Sequence, residues 1–130
     1  MPFARFTYHL APTSPRIDTQ ALAEALTDLI ARDLGKRRDL TSVLIETPTA
    51  ACWAIGGGRQ AVAAHLEVFV TSGTNTTEEK REFLAQAMAL MRANIPDLHP
   101  ATYVVVHELP STDWGYDGVS QFDRAAGLPL

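Results

Sequence analysis

The chain of 130 residues is written twice, and that repetition constrains its fold more than any single motif. A shift of 62 positions lays FARFTY (Phe3–Tyr8) on HLEVFV (His65–Val70). The same shift lays Leu22, Leu26 and Leu29 on Leu84, Met88 and Met91, and LTSVLIETP (Leu40–Pro48) on the stretch ending at Pro110. It pairs Thr41 with Tyr103, Val43 with Val105 and Glu46 with Glu108. Removing one residue after Pro48 brings CWAIGG (Cys52–Gly57) onto DWGYDG (Asp113–Gly118). The length suits one domain, residues 1–130, made of pseudo-repeats 2–61 and 62–118 with a C-terminal tail, 119–130.

Each half reads β-α-β. The aromatic-rich FARFTY and the apolar LEVFVT are first strands, and the β-branched SVLIE (Ser42–Glu46) and TYVVVHE (Thr102–Glu108) are second strands. Between them, Asp18–Gly35 carries Ala and Leu at helical spacing, with Asp18 as N-cap and Gly35 as the left-handed stop. Thr76–Pro96 opens with Thr76 and Glu79 in capping-box spacing and halts before Pro96. The Leu and Met stripes of both helices follow the helical period and are read as core. Two strands joined through one helix run parallel with a right-handed crossover. The expected fold class is therefore α+β, a four-stranded sheet with two helices on one face. The other face needs a cover, which predicts self-association.

Composition narrows the function classes. A net charge of −4 and the lack of a long basic run argue against nucleic acid. The Lys36–Arg38 run follows a helix end, where cations complement the helix dipole. No apolar run is long enough to span a membrane, and the first residues lack the pattern of a signal peptide. The single cysteine, Cys52, fits a reducing cytoplasm and is expected to be a small packed residue. His65 and His107 stand on strands without metal-ligand spacing, so no metal site is predicted.

Pro2, the LTSV strand, the W-x-I-G-G turn and the repeat together resemble the tautomerase superfamily: 4-oxalocrotonate tautomerase, malonate semialdehyde decarboxylase, the chloroacrylic acid dehalogenases and macrophage migration inhibitory factor. The resemblance runs from Pro2 to about Gly118 and points to a fused two-repeat member. Taken alone, Pro2 is a tolerated way to begin a strand. The resemblance implies instead that methionine is removed and that Pro2 works through its free amine as general base and acid. An α-amine titrates at roughly 7.7–8.0, which suits that work. The second half has Ala64 at the matching place, so one such proline per chain is implied.

The implied reaction is keto–enol tautomerisation of a 2-oxo acid or related dicarbonyl carboxylate, without cofactor, by a homotrimer. A hydratase, dehalogenase or decarboxylase of the same superfamily, or a trimeric binding protein without turnover, are the alternatives. The family's arginines are missing from their usual places: Leu44 and Val106 hold one pair of positions, Gly73 and Asn75 another. Arg16 and Arg59 are the arginines left as carboxylate binders. Asp39 matches the decarboxylase's acid in an R-D context, or is a solvated turn residue. Trp53 and its repeat partner Trp114 offer an indole wall, or anchor the two turns. Tyr116 and Asp117 lie in the second turn, within reach of a pocket across a subunit boundary.

Overall fold

The computed structural model describes residues 2–127; Met1 and residues 128–130, the end of the expected tail, lie outside the described residues. The first half supplies β1 (Phe3–His9), α1 (Thr19–Leu34), a 3-10 turn (Arg38–Leu40) and β2 (Ser42–Glu46). A small hairpin follows, β3 (Ala54–Ile55) with β4 (Gly58–Arg59). The second half supplies β5 (Ala63–Thr71), α2 (Thr77–Asn94) and β6 (Val104–Leu109), then the hairpin β7 (Gly115–Tyr116) with β8 (Val119–Ser120) and a short α3 (Gln121–Ala125). Both hairpins turn through two consecutive positive-φ residues, Gly56–Gly57 and Asp117–Gly118, the geometry that matches strand twist in a two-residue loop.

The main sheet has the order β2-β1-β5-β6. The two inner strands run antiparallel, with Phe3 opposite Phe69, and each outer strand runs parallel to its inner neighbour. Both helices pack on one face. From that side Ala4, Phe6 and Tyr8 of β1 and Leu66, Val68 and Val70 of β5 meet Leu22, Leu26, Ile30 and Leu34 of α1 and Phe83, Ala87 and Met91 of α2. The α+β class and the one-faced arrangement of helices are as the repeat predicts.

The helix ends are set by the residues expected to set them. Asp18 accepts a hydrogen bond from the Ala21 N–H at 3.0 Å, and Gly35 ends α1 in the left-handed region at φ 64°. The Thr76 hydroxyl accepts from the Glu79 N–H at 3.1 Å while the Glu79 carboxylate accepts from the Thr76 N–H at 2.8 Å, a complete capping box.

The repeat, however, does not keep one step throughout. From β1 to β5 the step of 62 holds, because Ala4, Phe6 and Tyr8 and their counterparts Leu66, Val68 and Val70 are all buried. From the helices onward the step is 61: Leu22, Leu26, Ile30 and Leu34 correspond to Phe83, Ala87, Met91 and Ile95, all buried. Leu84, the expected mate of Leu22, is 41% exposed. The single deletion thus falls before the second helix and not after Pro48. There the connecting loop is shorter and α2 starts nearly a turn earlier than α1 does. In β6 this moves every pairing by one: Leu44 corresponds to Val105, not Val106, and Glu46 to His107, not Glu108. A one-residue slip in a strand exchanges its faces.

The face away from the helices carries Phe3, Arg5 and Thr7 on β1 and His65, Glu67 and Phe69 on β5. Leu44 and Tyr103 on its flanks are 43% and 68% exposed. Arg5 ion-pairs with Glu46, and the Glu67 carboxylate bonds both His107 (2.7 Å) and His65 (3.3 Å). Both strand histidines are therefore satisfied by a carboxylate. Arg5 faces Glu67 across the β1–β5 pair, and the step of 62 carries one onto the other, so a pseudo-twofold axis passes between them.

Candidate functional site

A right-handed β-α-β unit returns its helix antiparallel to its strand, so whatever follows α1 arrives beside the start of β1. This rule sorts the predicted site residues by sheet end. At the start of β1, Pro2 is buried, and its carbonyl accepts the Ser42 N–H at 3.2 Å. Extending the β1–β5 register by one residue sets Pro2 beside Val70. The next residue, Thr71, accepts the Trp114 indole N–H at 3.1 Å. Trp114, Tyr116 and Asp39 consequently share the end of the sheet where Pro2 lies.

Arg16, Trp53 and Arg59 do not. Arg16 sits in the loop that leads from the far end of β1 into α1, and Trp53 and Arg59 belong to the hairpin after β2, which also ends there. Within one chain the length of β1 separates them from Pro2. Asp39 and Tyr116, although at the correct end, are engaged by neighbours. Arg37 pairs with Asp39 through contacts of 3.2 and 2.6 Å. The Arg124 guanidinium stacks 3.8 Å above the Tyr116 ring and donates to its carbonyl at 2.7 Å. Asp117 serves the hairpin turn at φ 54°.

The residue that sequence reasoning missed is Lys36. Gly35 swings the chain out of α1, and the Lys36 N–H remains tied to the Ala31 carbonyl at 3.1 Å. Its ammonium then donates to the Thr74 hydroxyl at 2.9 Å, and Thr74 donates to the Thr71 carbonyl at 2.6 Å. Asn75 fastens the same loop to the end of α1 through the Leu34 carbonyl at 2.8 Å. Burial lowers the Lys36 pKa from the ordinary lysine value, with Glu79 opposing the shift. The Lys36–Arg38 run was read as a helix-dipole complement. The signal available was the β-α-β rule itself, which delivers a cation after a helix stop to the start of the first strand.

Lys36, Arg37, Thr71, Thr74, Ser111 and Gln121 surround a concavity of about 310 Å³ at this end. It offers one partly buried ammonium, hydroxyls on two sides and the indole of Trp114 bonded to one wall. A small anion fits such a lining, with the cation for charge and the hydroxyls for orientation. Gly73 and Asn75, at which the sequence resemblance implies arginines, flank Thr74, whose hydroxyl accepts from Lys36. The positive charge comes from the helix end instead of from the loop. Among the described residues no group of His, Cys, Asp or Glu could hold a metal ion, and no helix is long and apolar enough to cross a membrane. Cys52, expected to be packed, is exposed on the segment leading into the first hairpin, where the chain has left the core.

Residues 2–62 match the family model described as tautomerase enzyme. The first β-α-β unit belongs to the tautomerase family. Beyond residue 62 the likeness is one of fold, and it spans both units. The structure of Pt0534 inactivated by 2-oxo-3-pentynoate superimposes with a TM-score of 0.78 at 15% identity, covering 96% of this chain and 98% of that one. A fused 4-OT symmetric trimer gives 0.73 at 23% identity, with 95% and 98% covered. The macrophage migration inhibitory factor-like protein of Entamoeba histolytica gives 0.73 at 16%, with 92% and 97% covered. No curated protein matches the sequence significantly. At such identities the superpositions establish a tautomerase fold with two fused units, as the repeat predicts.

Proposed function

We propose that the protein is a cofactor-independent keto–enol tautomerase acting on a 2-oxo acid or a related small dicarbonyl carboxylate, with Pro2 as its proton carrier. The observation that carries the reading is the position of Pro2: buried, immediately before the first residue of a central strand, and at the same sheet end as the partly buried Lys36. Removal of Met1 turns the Pro2 nitrogen into a secondary amine. A buried amine loses basicity, because desolvation disfavours its protonated form. In the enol-to-keto direction the neutral amine takes the proton of the enol hydroxyl, and the resulting ammonium delivers a proton to the carbon next to the new carbonyl; the reverse transfer forms the enol. Lys36 holds the substrate carboxylate, and hydroxyls such as those of Thr71 and Ser111 face the developing oxyanion. The reading includes a homotrimer, supported by the open sheet face and by the trimeric fused 4-OT relatives.

The test is loss of enol absorbance from the enol form of a 2-oxo acid, with intact mass recorded on the same sample. Pro2→Ala is expected to lower kcat/KM by about 10²–10⁴, the usual span of general acid–base catalysis. Lys36→Gln is expected to act mainly on KM. A Pro2→Ala protein with undiminished turnover, or turnover by protein that retains Met1, overturns the mechanism. Folded protein of the correct mass that turns over no enol favours a binding role.

A further inference from the structure

The pseudo-twofold axis between Arg5 and Glu67 gives the concavity at the Pro2 end a mate at the other end of the sheet. Thr71, Ser111 and Gln121 line the first. Their repeat counterparts are His9, by the step of 62, and Ala50 and Gln60, by the step of 61. All three line a second concavity of about 150 Å³, together with Cys52, Trp53 and Arg59. Two indentations that share three symmetry-related wall positions are two versions of one site.

What differs between them is the chemistry. The place of Pro2 is taken by Ala64, an internal strand residue opposite Tyr8, whose nitrogen is an amide with no basic lone pair. The counterpart of Lys36 is Asp97, which lines a neighbouring indentation instead. Positive charge is supplied by Arg59 on β4, whose own counterpart is Ser120, the N-cap of α3. Among the described residues the side chains of Arg59 and His9 have no ion-pair or hydrogen-bond partner. An arginine with its donors free, an imidazole and an indole around a small hollow suit a carboxylate. A hollow of this size equals roughly five water volumes, which limits the occupant to about four to six heavy atoms.

We propose that the His9 end of the sheet is a second, non-turnover binding site for a small monocarboxylate of two or three carbons, anchored by Arg59 and His9. Cation, imidazole and indole specify the ligand without reference to what Pro2 does, so the two readings fail separately.

Cys52 reports on occupancy, because it is the only cysteine of the chain and lines the hollow. Its alkylation by the neutral reagent iodoacetamide is followed by intact mass, with and without pyruvate up to about 20 mM, some twenty times the millimolar affinity expected of one small anion site. Pyruvate is expected to slow alkylation at least threefold in the wild type, in Pro2→Ala and in Lys36→Gln, and to have no effect in Arg59→Gln. Acetone, which is uncharged, is expected to give no protection. Equal protection by acetone, protection that survives Arg59→Gln, or protection lost in Lys36→Gln each overturns the proposal. Should the thiol react too slowly to follow, the Trp53 indole N–H resonance reads the same titration, and its failure to shift with pyruvate is likewise decisive against it.

Discussion

Exchanging two adjacent side chains of α2 for alanine tests the corrected register directly. Phe83 is fully buried, whereas Leu84 is 41% exposed on the outer side of the helix. Truncating a buried phenylalanine removes its transfer free energy and leaves a cavity in the main core cluster, at a cost of about 3–5 kcal/mol. Leu84→Ala forfeits only part of a leucine's burial, about 1 kcal/mol, and alanine's helix propensity returns a little of that. For a chain of this size, 1 kcal/mol moves the midpoint by roughly 3–5 °C, so Phe83→Ala should melt at least ~6 °C below Leu84→Ala. Both variants are followed by far-UV circular dichroism at one fixed protein concentration, since self-association adds to apparent stability. If Phe83→Ala fails to fold, Phe83→Leu provides a milder step of about 1–2 kcal/mol at the same site. Equal melting points for the Phe83 and Leu84 variants, or a larger loss at Leu84, would refute the step of 61 and restore the step of 62.

Thr76→Ala removes the hydroxyl half of the capping box and is expected to cost about 1 kcal/mol in denaturant unfolding, with Thr76→Ser recovering most of it. The carboxyl of Glu67 is held below the ordinary carboxylate pKa, chiefly by its hydrogen bond from His107. A depressed folded pKa stabilises above the unfolded value of about 4.3, and that contribution disappears as pH falls through the lower folded pKa. The stability difference between wild type and His107→Gln should therefore be larger at pH 5.5 than at pH 3, read by urea unfolding at each pH. Because burial lowers the Lys36 pKa, KM for a carboxylate substrate should rise on the alkaline side at a pH below the ordinary lysine value of about 10.4. Lys36→Arg should move that limb upward in a pH–rate profile, since guanidinium stays charged.

The strands, both helices and their caps were legible because each rests on local chemistry: Asp18, Gly35, and the Thr76–Glu79 pair act within one turn of the backbone. The position of the deletion was not legible. A shorter loop and an earlier start of α2 compensate almost completely, so identical residues such as Glu46 and Glu108 align while facing opposite sides of the sheet. In the candidate site, Pro2 could be singled out because an amino-terminal proline is chemically distinctive. Arg59 and Trp53 stand at the sheet end away from Pro2, which sequence position does not reveal because only strand direction says which end a hairpin reaches. Lys36 went unnoticed as a site residue for the same reason, looking like an ordinary cation after a helix. The shared face of His65 and Glu67 follows from strand alternation, whereas the pairing of Glu67 with His107 needed the β5–β6 register to be found.

The two halves are joined through a very short passage, residues 60–62 between β4 and β5. Covalent continuity there does more than connect. A pair of separate units would present two chain starts, one at each end of the sheet, whereas fusion leaves a single free start for every two units. It converts the other start into a peptide bond at Ala64 that no processing of the first methionine can reach. Fusion therefore fixes the stoichiometry of terminal amines at one per sheet, and it frees the residues around Ala64 from serving one. Asp97 where the first unit has the helix-end Lys36, and His9 where the second has Thr71, are differences that such release permits.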